Sequence, residues 1–164
     1  MRNYPRCIVY SSVTGNTRKI ASFLAQNLNI PLFPIAEAPD PQDFPCLILG
    51  FWVVRGMPDP PMLRYMHTVR EKQIFFFCTH AAWPDSAHIA HLRTSVSQLL
   101  EANHNELLGS FTCQGRVHFT ASNGHHPMTA ERKRRLEEAA RHPSSEDCEK
   151  ALNVLSMALK ESCA

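Results

Sequence analysis

Apolar residues fall into two kinds of run along the chain. Cys7-Ile8-Val9-Tyr10-Ser11, Pro31 to Ile35, Cys46-Leu47-Ile48-Leu49-Gly50-Phe51-Trp52 and Gln73 to Cys78 are short, β-rich and nearly continuous, and they predict four strands. Between the first two, Ile20, Phe23, Leu24 and Leu28 recur at helical spacing and predict a helix over Arg18 to Leu28. Further helices are expected near Pro60 to Arg70 and Ser86 to Ala102. A fifth strand is expected over Leu108 to Val117, where Gly109 and Gly115 mark a bend, a bulge or a close backbone approach. The closing helix starts after Ser144-Ser145-Glu146-Asp147, whose acidic groups suit a helix N-terminus, and should bury Ala151, Leu152, Leu155 and Leu159.

Strands alternate with helices, and continuous apolar strands imply burial on both faces. The economical arrangement is α/β: a doubly wound parallel sheet with helices on both sides, joined by right-handed crossovers. One domain over residues 1–164 accommodates all of it. The stretch near 118–143, with polar Ala121-Ser122-Asn123-Gly124-His125-His126-Pro127 before a charged helical segment at Thr129 to Ala140, reads as an insertion.

Composition narrows the class. The chain is 44% hydrophobic and 20% charged, as in an ordinary globular protein. Its longest apolar run, Gln73 to Cys78, is far too short to cross a bilayer. The N-terminal residues lead straight into a strand without an apolar signal segment, so a cytoplasmic location is expected. Cys7, Cys46, Cys78, Cys113, Cys148 and Cys163 are scattered without a C-x-x-C pair, which fits reduced core residues. A formal charge of +2 is too small to argue for nucleic acid, and Arg132-Lys133-Arg134-Arg135 reads as a solvated helix face. His118, His125 and His126 lack an acidic or cysteine complement, so no metal site is expected.

The most informative segment is Ser12-Val13-Thr14-Gly15-Asn16-Thr17, between the first strand and the first helix. Hydroxyls at Ser12, Thr14 and Thr17 can donate to phosphate oxygens, and Gly15 lets the backbone curl around a ligand. The first amides of the following helix are unsatisfied and point inward. Neutral donors suit a terminal phosphate monoester. A polyphosphate loop of the Walker A kind needs Gly-Lys-Ser/Thr, and here Lys19 lies on the helix. The plainer alternative is a Ser/Thr helix cap and turn.

At this loop the sequence resembles the flavodoxin family, whose phosphate loop follows Ser/Thr-x-Thr-Gly-x-Thr after the first strand; Ile8-Val9-Tyr10 before it is also similar. The resemblance implies non-covalent flavin mononucleotide (FMN) and a flavodoxin-like three-layer sandwich around a five-stranded parallel sheet of order 2-1-3-4-5. The loops after strands one, three and four then converge on one crevice. The ring would lie between Trp52-Val53-Val54-Arg55-Gly56 and Thr79-His80-Ala81-Ala82-Trp83. Trp52 and Trp83 are candidates to cover its faces, Trp52 being alternatively a core residue that closes its strand. Gly56 could supply a peptide that rotates toward the half-reduced flavin, and His80 either bonds the flavin or holds its loop. Arg55 would favour the anionic reduced flavin, unless it points into water or contacts a partner.

The expected function is electron transfer to a redox protein partner, including a dedicated reductase, with neither nucleic acid nor membrane involved. The competing reading is an FMN-dependent reductase of a small organic substrate, or its flavin subunit, with 118–141 as a substrate lid. A receiver domain would need acids where Ser11-Ser12 and Trp52 stand, and a low-molecular-weight phosphatase would need a cysteine opening the loop, whereas Cys7 is too early.

Overall fold

The computed structural model describes residues 5–118 and 127–162. Strands β1 (Arg6–Tyr10), β2 (Leu32–Pro34), β3 (Cys46–Val54), β4 (Met57–Pro58), β5 (Gln73–His80) and β6 (Glu106–Gln114) alternate with helices α1 (Asn16–Leu28), α2 (Pro60–Thr68), α3 (Ala87–Ala102), α4 (Ala130–Ala139) and α5 (Ser145–Glu161). The main sheet runs β2-β1-β3-β5-β6, all parallel, with β4 attached antiparallel to β3. Apart from β4, this is the 2-1-3-4-5 order expected of the flavodoxin-like sandwich.

Successive side chains on a strand point to opposite faces, and each of the central strands feeds two cores. Val9, Leu47, Leu49, Phe51, Ile74 and Phe76 pack with Met62 and Met66 of α2 and with Ile89, Leu92, Val96 and Leu100 of α3. Ile8, Ile48, Phe75 and Phe77 pack on the other side with Ile20, Ala21 and Leu24 of α1 and Ala151, Leu155 and Leu159 of α5. Leu152, also expected in the core, is half-buried at its margin. Gly50 permits the closest crossing: a Cβ there would lie 2.3 Å from the Phe77 ring.

The structure departs from the sequence expectation at three places. Strand β3 continues beyond Trp52 to Val54, turns at Arg55-Gly56 and returns as β4. Both turn residues have positive φ, 51° and 79°, the type I′ signature that matches hairpin twist. Arg-Gly is a weaker hairpin signal than Asn-Gly, and Pro58 disguises the short return strand. Strand β6 starts earlier and ends earlier than expected, at Glu106 and Gln114, with a register shift opposite Ile74 and Phe75 beside Gly109. The basic run on α4 is not wholly solvated, since the Arg134 guanidinium lies 5.7 Å from the centre of the Trp83 ring and Arg135 is half-buried.

Cys7, Cys46, Cys78, Cys113 and Cys148 are buried and form no disulfide. Burial pushes the Cys7 and Cys78 thiols up to about 12, so these side chains behave as small apolar core residues. No helix among the described residues is long and apolar enough to cross a membrane. The polar stretch up to His126, including His125, lies outside the described residues, as does Cys163.

Candidate functional site

The C-terminal ends of β1, β3, β5 and β6 lie along one edge of the sheet, the place where ligands bind in doubly wound folds. The loop after β1 is built there without a conventional helix cap. Gly15 holds the N-cap position of α1 at φ 95°, in the left-handed region, and no side chain caps the helix. Its own amide instead donates to Ser12 Oγ at 3.2 Å. The first-turn amides of α1 therefore face outward from the loop with no capping acceptor, and no acidic residue occupies that turn.

The hydroxyls of the loop divide into two groups. Thr14 is exposed and Ser12 is half-buried. Thr17 is 1% exposed and shares a hydrogen bond with Thr79 Oγ1 of β5 at 2.9 Å. Asn16 donates to the Arg116 carbonyl at 2.9 Å, beside Gly115, where a Cβ would come within 2.6 Å of Asn16 Nδ2. Thr17 and Asn16 thus anchor the loop, while Ser12, Val13 and Gly15 line a cleft of about 290 Å³ together with Tyr10, Ser11, Arg18 and Ile35 among others.

Ser11 and Asp59 form a buried connection that the sequence alone did not single out. Asp59, fully buried, caps α2 by accepting from the Met62 amide, and Oδ1 also accepts from Ser11 Oγ at 2.7 Å. Burial raises its pKa, and the bonds from Ser11 and Met62 only partly oppose that shift. Its second oxygen, Oδ2, is buried without a hydrogen-bond partner. The available sequence signal was Asp-Pro-Pro at 59–61, an N-cap followed by prolines in the first turn.

Of the ring-loop candidates, Trp52, Val53 and Val54 lie on β3 and are half-buried. Arg55 is exposed at the hairpin tip, and Gly56 lies against His88 of α3, 3.1 Å from a Cβ placed there. Thr79 and His80 end β5, and Ala81, Ala82 and Trp83 follow as a half-buried loop. His80 Nδ1 lies 3.2 Å from the Ala82 carbonyl. Burial drives the His80 pKa down to about 4, with Arg93 and His88 adding to the shift against the Ala82 bond. The neutral ring then donates from Nδ1 to Ala82, which makes Nε2 an acceptor, and that atom is buried without a partner. Trp52 Nε1 and Gln114 Nε2 at the same edge are also buried and unpartnered. A row of unspent polar atoms along one sheet edge is unusual in a closed core.

A second, larger cavity of about 550 Å³ opens beside Trp83, between β6, α4 and the start of α5. His142 and Asp147 close its floor, with His142 Nδ1 2.5 Å from Asp147 Oδ2 and Nε2 3.5 Å from Glu138 Oε1. Asp147 also accepts from the Ser144 amide and hydroxyl in a capping box for α5. Burial opposes His142 protonation, but the bonds to Asp147 and Glu138 outweigh it and raise the pKa. Among the described residues, no group of three or more His, Cys, Asp or Glu side chains is placed to hold a metal ion.

The model of the flavodoxin domain family matches residues 7–156, nearly the whole chain. The chain belongs to this family. A flavodoxin-like domain-containing protein, BilS, of Clostridioides difficile (strain CD3) is 28% identical over 116 residues, which span 67% of this chain and 65% of that protein, just under two thirds of its length. Oxidised flavodoxin 2 from Bacillus cereus superposes with a TM-score of 0.64 at 17% identity, over 97% of this chain and 99% of that one. A flavoprotein from Lactobacillus acidophilus NCFM, solved in complex with FMN, superposes with a TM-score of 0.50 at 16% identity, over 65% of this chain and 91% of that one. At such identities the structural likeness shows the flavodoxin fold, and the family match rests on the sequence.

Proposed function

We propose that this flavodoxin-family chain binds FMN at the C-terminal edge of its sheet and passes electrons to a redox protein partner. The observation that carries the reading is the loop after β1: Gly15 in the left-handed region, an α1 N-terminus without a side-chain cap, Ser12 lining the cleft and an exposed hydroxyl at Thr14. Such a loop suits a phosphate dianion through neutral donors and a helix terminus, without a buried counter-charge. The buried, unpartnered Trp52 Nε1 and His80 Nε2 supply a donor and an acceptor for a polar ring at the same edge. The FMN complex of the Lactobacillus flavoprotein supports the choice of flavin.

In this reading Ser12, Thr14 and the first amides of α1 hold the phosphate, while Thr17 and Asn16 keep the loop in place. Trp52 and Trp83 shield the ring from water, His80 accepts a hydrogen bond at Nε2, and Gly56 allows the hairpin peptide to reorient. The bound flavin supplies one- and two-electron chemistry that no side chain here provides. The test is uptake of FMN by purified protein, followed by the yellow flavin spectrum and by identification of the released cofactor. Failure of micromolar FMN to bind would remove the proposal.

The cavity beside Trp83 favours a second reading, an FMN-dependent reductase whose organic substrate enters under α4. Oxidation of a nicotinamide cofactor by the isolated flavin-loaded protein, without a partner, would select this reading over the carrier.

A further inference from the structure

We propose that the cofactor edge of this chain is a cationic docking face, fitted to a redox protein whose own electron-exchange surface is rimmed with carboxylates. The inference rests on the reading that the edge holds a flavin, which makes it the place where electrons leave.

Most carboxylates near this edge are consumed internally. Asp59 is buried on Ser11 and Met62, and Asp147 is held by His142 and Ser144. Glu138 pairs with Arg141 and His142, Glu146 with Lys150, and Glu137 with Lys133. The cations of the same edge are spent differently. Arg18 lines the cleft, and Arg55 is exposed at the hairpin tip. The Arg116 guanidinium forks onto the Ala140 carbonyl, and Lys19 donates to the Pro143 carbonyl, bonds that leave both charges uncancelled. Arg134 rests on the face of Trp83. Among the described residues, Glu37, Asp85, Glu131 and Glu149 are exposed carboxylates near this edge that make no ion pair, against the cations Arg18, Lys19, Arg55, Arg116 and Arg134.

The whole chain carries a formal charge of only +2, so the positive character of the edge is a matter of placement. Most of the rim cations are arginines, whose planar fork meets a carboxylate with two hydrogen bonds and is weakly hydrated. Val13, 76% exposed on the loop of the cleft, provides an apolar contact inside that charged rim. An apolar centre within a polar rim is the usual anatomy of a transient interface, and charge complementarity there chiefly speeds encounter.

The chain's two tryptophans, Trp52 and Trp83, both report on this edge. In flavin-free protein at low ionic strength, we expect iodide to quench their fluorescence about two-fold more efficiently than caesium, after each is scaled to free tryptophan amide, with neutral acrylamide as the access control. The asymmetry should close at about 0.5 M salt. It should also close in the Arg18→Gln, Arg55→Gln, Arg134→Gln triple variant, or shrink in Arg55→Gln alone if the triple variant does not fold. Retention on immobilised poly-L-glutamate, lost in the same variants, is the second expected result. Equal quenching by the two ions, or a caesium preference, overturns the proposal. So does duplex DNA that competes as well as polyglutamate, because it would make the face a general polyanion site. FMN titration of the same preparation reports separately on the flavin reading.

Discussion

The Ser11 hydroxyl donates to Asp59 Oδ1 across 2.7 Å inside the protein, joining the end of β1 to the start of α2. This bond holds the start of the loop after β1 against the β3–β4 hairpin, because the Asp59 amide also donates to the Trp52 carbonyl at 3.0 Å. Removing the carboxylate deletes an N-cap and strands a buried hydroxyl. Asp59→Ala should cost about 2–4 kcal/mol of stability in urea unfolding. Asp59→Asn, which keeps an acceptor oxygen, should cost clearly less, and equal losses would show that the bond to Ser11 contributes nothing.

Thr14 is the cleanest probe of the phosphate reading, since its side chain is exposed and supports nothing else in the fold. Thr14→Ala should weaken FMN by about 1.5–3 kcal/mol, leave riboflavin affinity nearly unchanged, and leave the unfolding midpoint within experimental error. Thr17→Ala should behave differently, because it leaves the Thr79 hydroxyl buried without its partner and therefore lowers stability as well as affinity. Fluorescence titrations with the two flavins, run beside thermal melts, separate these outcomes.

Gly115 touches the loop from outside. A Cβ there would press on Asn16 Nδ2 at 2.6 Å and Cγ at 2.9 Å, forcing Asn16 off the Arg116 carbonyl. Gly115→Ala should cost about 1–3 kcal/mol and weaken FMN, although the residue lies a hundred positions from the loop in sequence. Unchanged affinity would show that Asn16 does not hold the loop.

Gly56 combines a φ of 79° with a neighbour, His88, in the way of any Cβ. Gly56→Ala should cost about 1 kcal/mol in the free protein. With flavin bound, a redox titration should show a smaller fraction of one-electron-reduced flavin than in wild type. An unchanged fraction would remove Gly56 from the redox role.

Two histidines should titrate on opposite sides of the ordinary value near 6.5. His80, pushed down to about 4 by burial, stays neutral in the folded protein through pH 5, and the unfolded chain takes up its proton first, so its cost grows as pH falls below about 6.5. His142 is raised by Asp147 and Glu138, so its contribution is full below about 6.5 and is lost as pH rises through the folded value. Asp147 moves the other way: burial opposes ionisation, the bonds from Ser144 and His142 win, and its contribution is lost only in acid. His142→Asn should therefore destabilise more at pH 5.5 than at pH 8.5. Imidazole NMR titration checks both ring states directly, and a His80 resonance that moves near pH 6.5 would contradict its burial.

Much of this protein was written in local pattern. Continuous apolar runs at Cys7 to Val9, Cys46 to Phe51 and Gln73 to Cys78 could only be strands buried on both faces, and helical spacing between them required crossovers and a parallel sheet. The proposed phosphate role of the loop Ser12 to Thr17 comes from the same kind of local pattern, since its hydroxyls and glycine are adjacent in sequence. Tertiary structure decided what depends on partners distant in sequence. It separated exposed Thr14 from buried Thr17, placed Asp59 under Ser11, and set Arg134 over Trp83. It also turned the segment after Trp52 into a hairpin, because the left-handed pair Arg55-Gly56 is stabilised by pairing between Val53 and Pro58, a contact that no one-dimensional pattern displays. A sequence fixes which groups are available. Their hydrogen bonds and charges are assigned only when packing decides which of them remain in water.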